Sequence, residues 1–302
     1  MYVHLIYVIH KKWLCTGSYF YVLYNDLVCT NFALDNPSAD MNNIVYNIDM
    51  KRWTIVILVL FCTTCIGAYG WVISQPKYSP QRLSFERAIK KISYYAQDQV
   101  ATVLYAKSEK VTVPVPFLPQ EHPLTCETAS LRMALHYRGK EVTEEELLDK
   151  LTFDIQDPLS PKGIWGDPDK GFVGNIDGSI YHGTGYGVYE TPIRNLALYY
   201  RNAQVIEDAT LQKILTQTTK GNPVIVWGLL SDKDQTYWRT KKGKSVQAFY
   251  SEHARVVIGY SGTVAQPKNI ILMDPIYGKI RMSRDKFVDQ LNTLNNRAVV
   301  IY

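Results

Sequence analysis

The hydrophobic rhythm of the chain changes several times along its length. Residues 1–49 mix aromatic, apolar and polar positions without a helical or strand period. Residues 53–74, WTIVILVLFCTTCIGAYGWVIS, are an uncharged apolar run long enough to span a bilayer, with Trp53 and Trp71 near its ends. After a short Pro-containing linker, residues 84–105 take a helical period, with Ser84 placed to cap and Ile89, Ile92 and Tyr95 or Ala96 along one side. VTVPVPFLPQ, residues 111–120, is held extended by its prolines. A second helical stretch follows, with Thr125 as N-cap, Ala129, Met133 and Tyr137 on one face, and Gly139 to end it.

Thr143 and Glu146 spell a capping box for a short helix reaching about Leu151. Residues 157–192 are rich in Gly, Pro and Asp, and the spacing predicts a long structured loop walling a substrate groove. Helices are expected over 191–202 and 209–220. From Pro223 the pattern becomes strand-like: PVIVWGLL, QAFYSEHARVVIGYSG and NIILMDPIYGKIRMS, then a capped helix near 284–294 and a last strand, RAVVIY. A helical half followed by an antiparallel sheet makes an α+β domain with a cleft between its halves.

Composition alters this picture little. The 302 residues can hold one large domain or two small ones, and the net charge of +5 comes without a dense Lys/Arg block. Nucleic acid is therefore not an expected partner. The glycines at 183, 185 and 187 follow no strand and lack dinucleotide spacing. Asp167, Asp169 and Asp177 lack the ligand spacing of a calcium loop, so no metal and no cofactor is expected. The five cysteines form no disulfide framework or metal-ligand set, and Cys62 and Cys65 sit inside the apolar run.

Cys126 is the only cysteine after Cys65, and it stands at a helix start. Unpaired backbone N–H groups and the positive end of the helix dipole favour a thiolate there. A lone cysteine is more often a small buried hydrophobe, so the case depends on its companions. Gln120, six residues upstream, carries an amide that could donate to an oxyanion. His253 opens the strand ARVVIGY, and Asp274 closes the next strand, NIILMD, before Pro275. Neighbouring strands can bring these ends together, so Asp274 would fix the imidazole tautomer while the other ring nitrogen faces Cys126. Of the other histidines, His136 lies roughly 15 Å along the cysteine helix, His122 has no obvious orienting carboxylate, and His182 is the one credible substitute.

These residues carry a resemblance. PVPFLPQ, LTCETASLRMALHYRG, DKGFVG, YGVYETP, PVIVW, EHARVVIGY and MDPIYG make residues 111–302 similar to the papain-like cysteine peptidases related to the double-glycine, or bacteriocin-leader, peptidases. The resemblance implies a papain-like fold, Cys126 as nucleophile, His253 as base, Asp274 as its orienter and Gln120 at the oxyanion position. Many relatives have glycine after the cysteine, where this chain has Glu127; a charge there opposes thiolate formation if it points inward. No transporter segment is present, so leader-peptide export does not carry over.

The expected organisation is an extension over 1–49, a single transmembrane anchor or signal over 53–74, a linker and helix over 75–110, and the peptidase domain over 111–302. Translation from Met50 would leave Lys51 and Arg52 ahead of the apolar run, as in an ordinary membrane-protein start. An uncleaved anchor with residues 75–302 outside the cell is expected, with secretion after cleavage near Ala68-Tyr69-Gly70 as the alternative. The expected activity is peptide-bond hydrolysis through a thioester on a peptide or protein substrate. Rival readings are a cell-wall amidase or endopeptidase and an inactive peptide-binding module of the same fold.

Overall fold

The computed structural model describes residues 67–76, 79–105, 109–111 and 113–302. Two units divide at Pro76. In the first, residues 67–74 are helical. The expected extension over 1–49, the start at Met50 and residues 53–66 of the apolar run lie outside the described residues. No helix among the described residues is long and apolar enough to cross a membrane.

The second unit begins with α1 (Pro80–Tyr105). It starts a turn earlier than the Ser84 cap implied, because Ser79 Oγ accepts the Arg82 amide at 3.3 Å and Pro80 has no N–H to leave unpaired. Ser84 instead lies within the helix and donates to Gln81 O. The helix packs on the domain: Lys90 Nζ donates to Leu230 O at 2.8 Å, and the Tyr94 ring lies 5.2 Å from that of Tyr277.

β1 (Glu109–Val111) leads to the extended 113–120 stretch and then to α2 (Cys126–Tyr137). Gly139, at φ 72°, ends that helix as expected; the amides of Gly139 and Lys140 turn back to His136 O and Leu135 O. α3 (Glu144–Leu148) carries the full capping box, Glu146 N–H to Thr143 Oγ1 and Thr143 N–H to Glu146 Oε2. The Gly-rich region contains a small sheet of β2 (Phe153–Ile155), β3 (Phe172–Gly174) and β4 (Gly185–Gly187). α4 (Glu190–Ala197), β5 (Ala203–Val205) and α5 (Leu211–Thr219) follow, the helices shorter than their hydrophobic periods suggested.

The rest is mostly strand: β6 (Val224–Leu229), a hairpin of β7 (Gln235–Arg239) and β8 (Ser245–Phe249), then β9 (Glu252–Gly262), β10 (Pro267–Asp274) and β11 (Gly278–Ser283). α6 (Arg284–Thr293) and β12 (Ala298–Ile301) complete the chain. Two of the strand-like runs each hold two strands. QAFYSEHARVVIGYSG divides at Tyr250–Ser251, and NIILMDPIYGKIRMS folds back after Asp274, whose Oδ1 accepts the amides of Ile276 and Tyr277.

The main antiparallel sheet runs β11-β10-β9-β6-β12-β5, with β1 also pairing with β9. Strand alternation divides the interior in two. Ile225 and Trp227 of β6, with Ala254, Val256 and Ile258 of β9, pack against α2 and α4. Val224, Val226 and Val257 face α5 and α6 with Leu272, Phe287 and Leu291. Each such aliphatic or aromatic side chain contributes about 1.5–3 kcal/mol on burial, so this parity holds β9 in register.

Candidate active site

α2 presents Cys126 at its first position, 6% exposed, against the start of β9. Its sulfur accepts the Ala254 backbone N–H at 3.4 Å and donates to Glu127 Oε2 at 3.2 Å. Thr125 occupies the cap position without capping; its hydroxyl donates to His122 O and accepts the His122 amide, tying down the loop before the helix.

One residue from Ala254, His253 is 1% exposed and its Nε2 lies 3.1 Å from Oδ2 of the fully buried Asp274. The β9–β10 pairing and the end of β10 at Asp274 produce this contact, as the ordering of the two residues implied. A carboxylate can only accept, so Nε2 carries the proton and Nδ1 keeps its lone pair. Among the described residues no hydrogen bond joins that ring to Cys126 Sγ, whose partners are Ala254 and Glu127.

Asp274 also accepts from Arg255 Nε at 2.7 Å, besides the two turn amides at Oδ1. Burial alone would raise its pKa, but His253 and Arg255 outweigh burial and hold it well below the usual carboxylate range. Burial lowers the pKa of His253, with Asp274 opposing, so the imidazole rests neutral.

The sulfur has the opposite surroundings. Burial raises the Cys126 pKa well above that of an ordinary thiol, and Glu127 and Glu252 raise it further; the Ala254 amide works against them. Glu127 does point inward, 1% exposed, with Oε1 accepting the Val188 N–H at 2.8 Å. The helix start by itself favours a thiolate, but burial and two carboxyls dominate, and the resting group is the thiol.

Gln120 is the sequence candidate whose donors go elsewhere. Its Nε2 donates to His122 O at 2.8 Å and Pro123 O at 3.1 Å, while Oε1 is buried without a partner. His122, expected to lack a carboxylate, has one: Asp177 Oδ1 is 2.8 Å from its Nδ1, across a loop-to-loop contact that the sequence separation concealed. His136 Nε2 contacts the Val142 backbone and is structural. His182 lies in a 3-10 turn (Ile180–His182), lining a surface pocket of about 240 Å³ with Tyr181, Trp238 and Tyr250.

The acidic residues of the Gly-rich region are met by the protein's own cations. Lys244 Nζ bonds Asp167 at 2.9 Å and Asp169 at 2.7 Å, and Arg297 reaches Asp169 and Glu190. Two site residues escaped the sequence reading. Arg255 was legible in principle, since a cation two positions from His253 in a buried strand shares its face and needs a carboxylate. Glu252 became significant only once α2 was placed.

A cysteine opening a helix, packed against the ends of two interior strands that carry a buried His–Asp pair, defines the class: a mixed helix-and-sheet domain with the parts of a cysteine hydrolase. A model of the Peptidase_C39 like family matches residues 112–299, and the chain belongs to that family. It is 34% identical over 184 residues to the uncharacterized protein YvpB of Bacillus subtilis (strain 168), covering 58% of this chain and 68% of YvpB. A crystal structure from Bacillus anthracis described as a C39-like peptidase is 27% identical with a TM-score of 0.56, covering 64% of this chain and 97% of that one. More distant is a double glycine motif protease from an AMS/PCAT transporter, solved with its leader peptide: 16% identity, TM-score 0.36, covering 63% and 92%.

Proposed function

We propose that this chain is a cysteine peptidase whose nucleophile is Cys126, held outside the cell membrane by the apolar run 53–74. The observation that carries the reading is the His253–Asp274 contact at 3.1 Å, one residue from the amide that binds the Cys126 sulfur. In the reaction His253 takes the thiol proton and the sulfur attacks a peptide carbonyl. The C–N bond then breaks as the imidazolium returns the proton to the leaving amine, and water releases the thioester. Asp274 keeps the proton on Nε2 so that Nδ1 serves as base, and Arg255 holds Asp274 ionised. Gln120 serves as oxyanion donor only if substrate draws its amide from the loop carbonyls that it now binds.

One observation favours a second reading, a peptide-binding module without turnover: the thiol rests buried beside two carboxyls. Full-chain protein exposed to an epoxide peptide probe separates the two. Labelling of Cys126 in the folded protein that is lost after denaturation, and lost with His253→Ala, supports the peptidase. Labelling that survives denaturation or the His253 change leaves the binding module. Digestion of peptidoglycan in place of linear peptides would transfer the activity to a cell-wall endopeptidase or amidase.

A further inference from the structure

The proposed triad leaves two acids at its centre unused. Glu127 follows the nucleophile on α2, and Glu252 precedes His253 on β9. A thiol sulfur and one oxygen from each carboxyl lie within 4.8 Å of one another. The room for this is built into the backbone: a Cβ on Gly187 would come 2.5 Å from Glu127 Oε1 and 3.4 Å from Glu252 Oε2. The Val188 amide holds Glu127 Oε1, which leaves Oε2 for the sulfur. Glu252 Oε1 is buried with no hydrogen-bond partner.

The surroundings do not neutralise the pair. On α2 the facing group is Cys126 itself, and on α3 Glu144 adds a third negative charge. Tyr186, in β4, and Tyr189, just beyond it, bond each other through their hydroxyls. Arg255 on β9 is taken by Asp274 and Leu229 O, and Arg297 before β12 by Asp169 and Glu190. Two acids confined together without a bonded cation retain a proton to higher pH than either would alone. Burial raises both; the Glu127 charge adds to the rise at Glu252, where Arg297 and Arg255 oppose it through space, and the Glu144 charge adds to the rise at Glu127, which reaches about 7.

We propose that Glu127 and Glu252 are positioning residues for the nucleophile, a carboxyl pair that locks Cys126 as a hydrogen-bonded thiol when ionised and releases it when the pair takes up a proton from solvent. The inference rests on Cys126 being the nucleophile. It adds that the site is restrained near neutrality and eased in mild acid, where protonation leaves less negative charge to oppose a thiolate beside His253.

The test is the alkylation rate of Cys126 by iodoacetamide in the full chain, read by mass spectrometry of its peptide so that the other cysteines do not count. Near pH 7.5, Glu127→Gln should react about tenfold faster than wild type or more, falling to within about twofold near pH 5, where the pair is already protonated. The Gln oxygen still accepts the Val188 amide, and Glu127→Asp, which keeps the charge, should stay near wild type. Glu252→Gln should show the same pH-dependent ratio at smaller amplitude, and it serves if Glu127→Gln fails to fold. Equal ratios at both pH values, a slower Glu127→Gln thiol near pH 7.5, or an Asp variant that behaves like Gln would overturn the proposal. Alkylation reads the thiol whether or not peptides are cut, so absence of peptide cleavage counts against the peptidase reading alone.

Discussion

Two buried carboxylate sites flank β9 and have opposite character. Asp274 is wholly buried, yet it accepts two turn amides, His253 Nε2 and Arg255 Nε, and its pKa is depressed. Glu127 is as deeply buried, with one backbone donor, a thiol and a second acid for neighbours, and its pKa is raised. Burial pushes both carboxyls upward. What separates them is the count of donors and the sign of the nearest charge, so depth alone says nothing about ionisation.

The largest way to break the contrast is to empty the donor-rich site. Asp274→Ala strands Arg255, 2% exposed, and should cost about 3–5 kcal/mol in urea unfolding, as one-sided removal of a buried ion pair does. A cost near zero would mean that Arg255 finds another acceptor. Asp274→Asn keeps an oxygen that the turn amides or the imidazole can use, so it should be milder in stability and in any peptide turnover.

Next comes pH. Glu127, raised from 4.5 to about 7, binds a proton that the unfolded chain has already lost. Its stabilising contribution is complete below the unfolded value and is lost as pH rises through about 7. Asp274, being depressed, contributes above the unfolded carboxylate range, and that contribution is lost as pH falls through its lower folded value. Thermal unfolding across pH should therefore show opposed slopes, with Glu127→Gln flattening the arm between 4.5 and 7 and Asp274→Asn flattening the acid arm. If neither variant changes its own arm, the two sites do not differ as described.

A smaller effect calibrates both. Thr143→Ala removes the capping box of α3 without touching either carboxyl and should cost about 1 kcal/mol in urea unfolding. A loss as large as that of Asp274→Ala would show that the variants report general destabilisation and not the two carboxyl sites.

Much of this arrangement was legible in the chain. The α+β character, the end of α2 at Gly139, the capping box, and Asp274 as the last residue of its strand follow from local chemistry, because caps, turn residues and hydrophobic period act over a few positions. The pairing of His253 with Asp274 was inferable because the two strands are consecutive and one tight turn joins β10 to β11.

Three things waited for the tertiary structure. Gln120 looked like a free donor until the loop folded two of its own carbonyls onto the amide. Arg255 became part of the His–Asp site only when β10 ended beside it. Above all, the local signals at Cys126 point to a thiolate, while the resting group is a thiol. The helix start belongs to the cysteine's own segment. The opposing terms come from Glu252, 126 positions away, from the space left by Gly187, and from burial between α2 and the sheet. Proton affinity sums fields from every packed element, so no one stretch of sequence determines it.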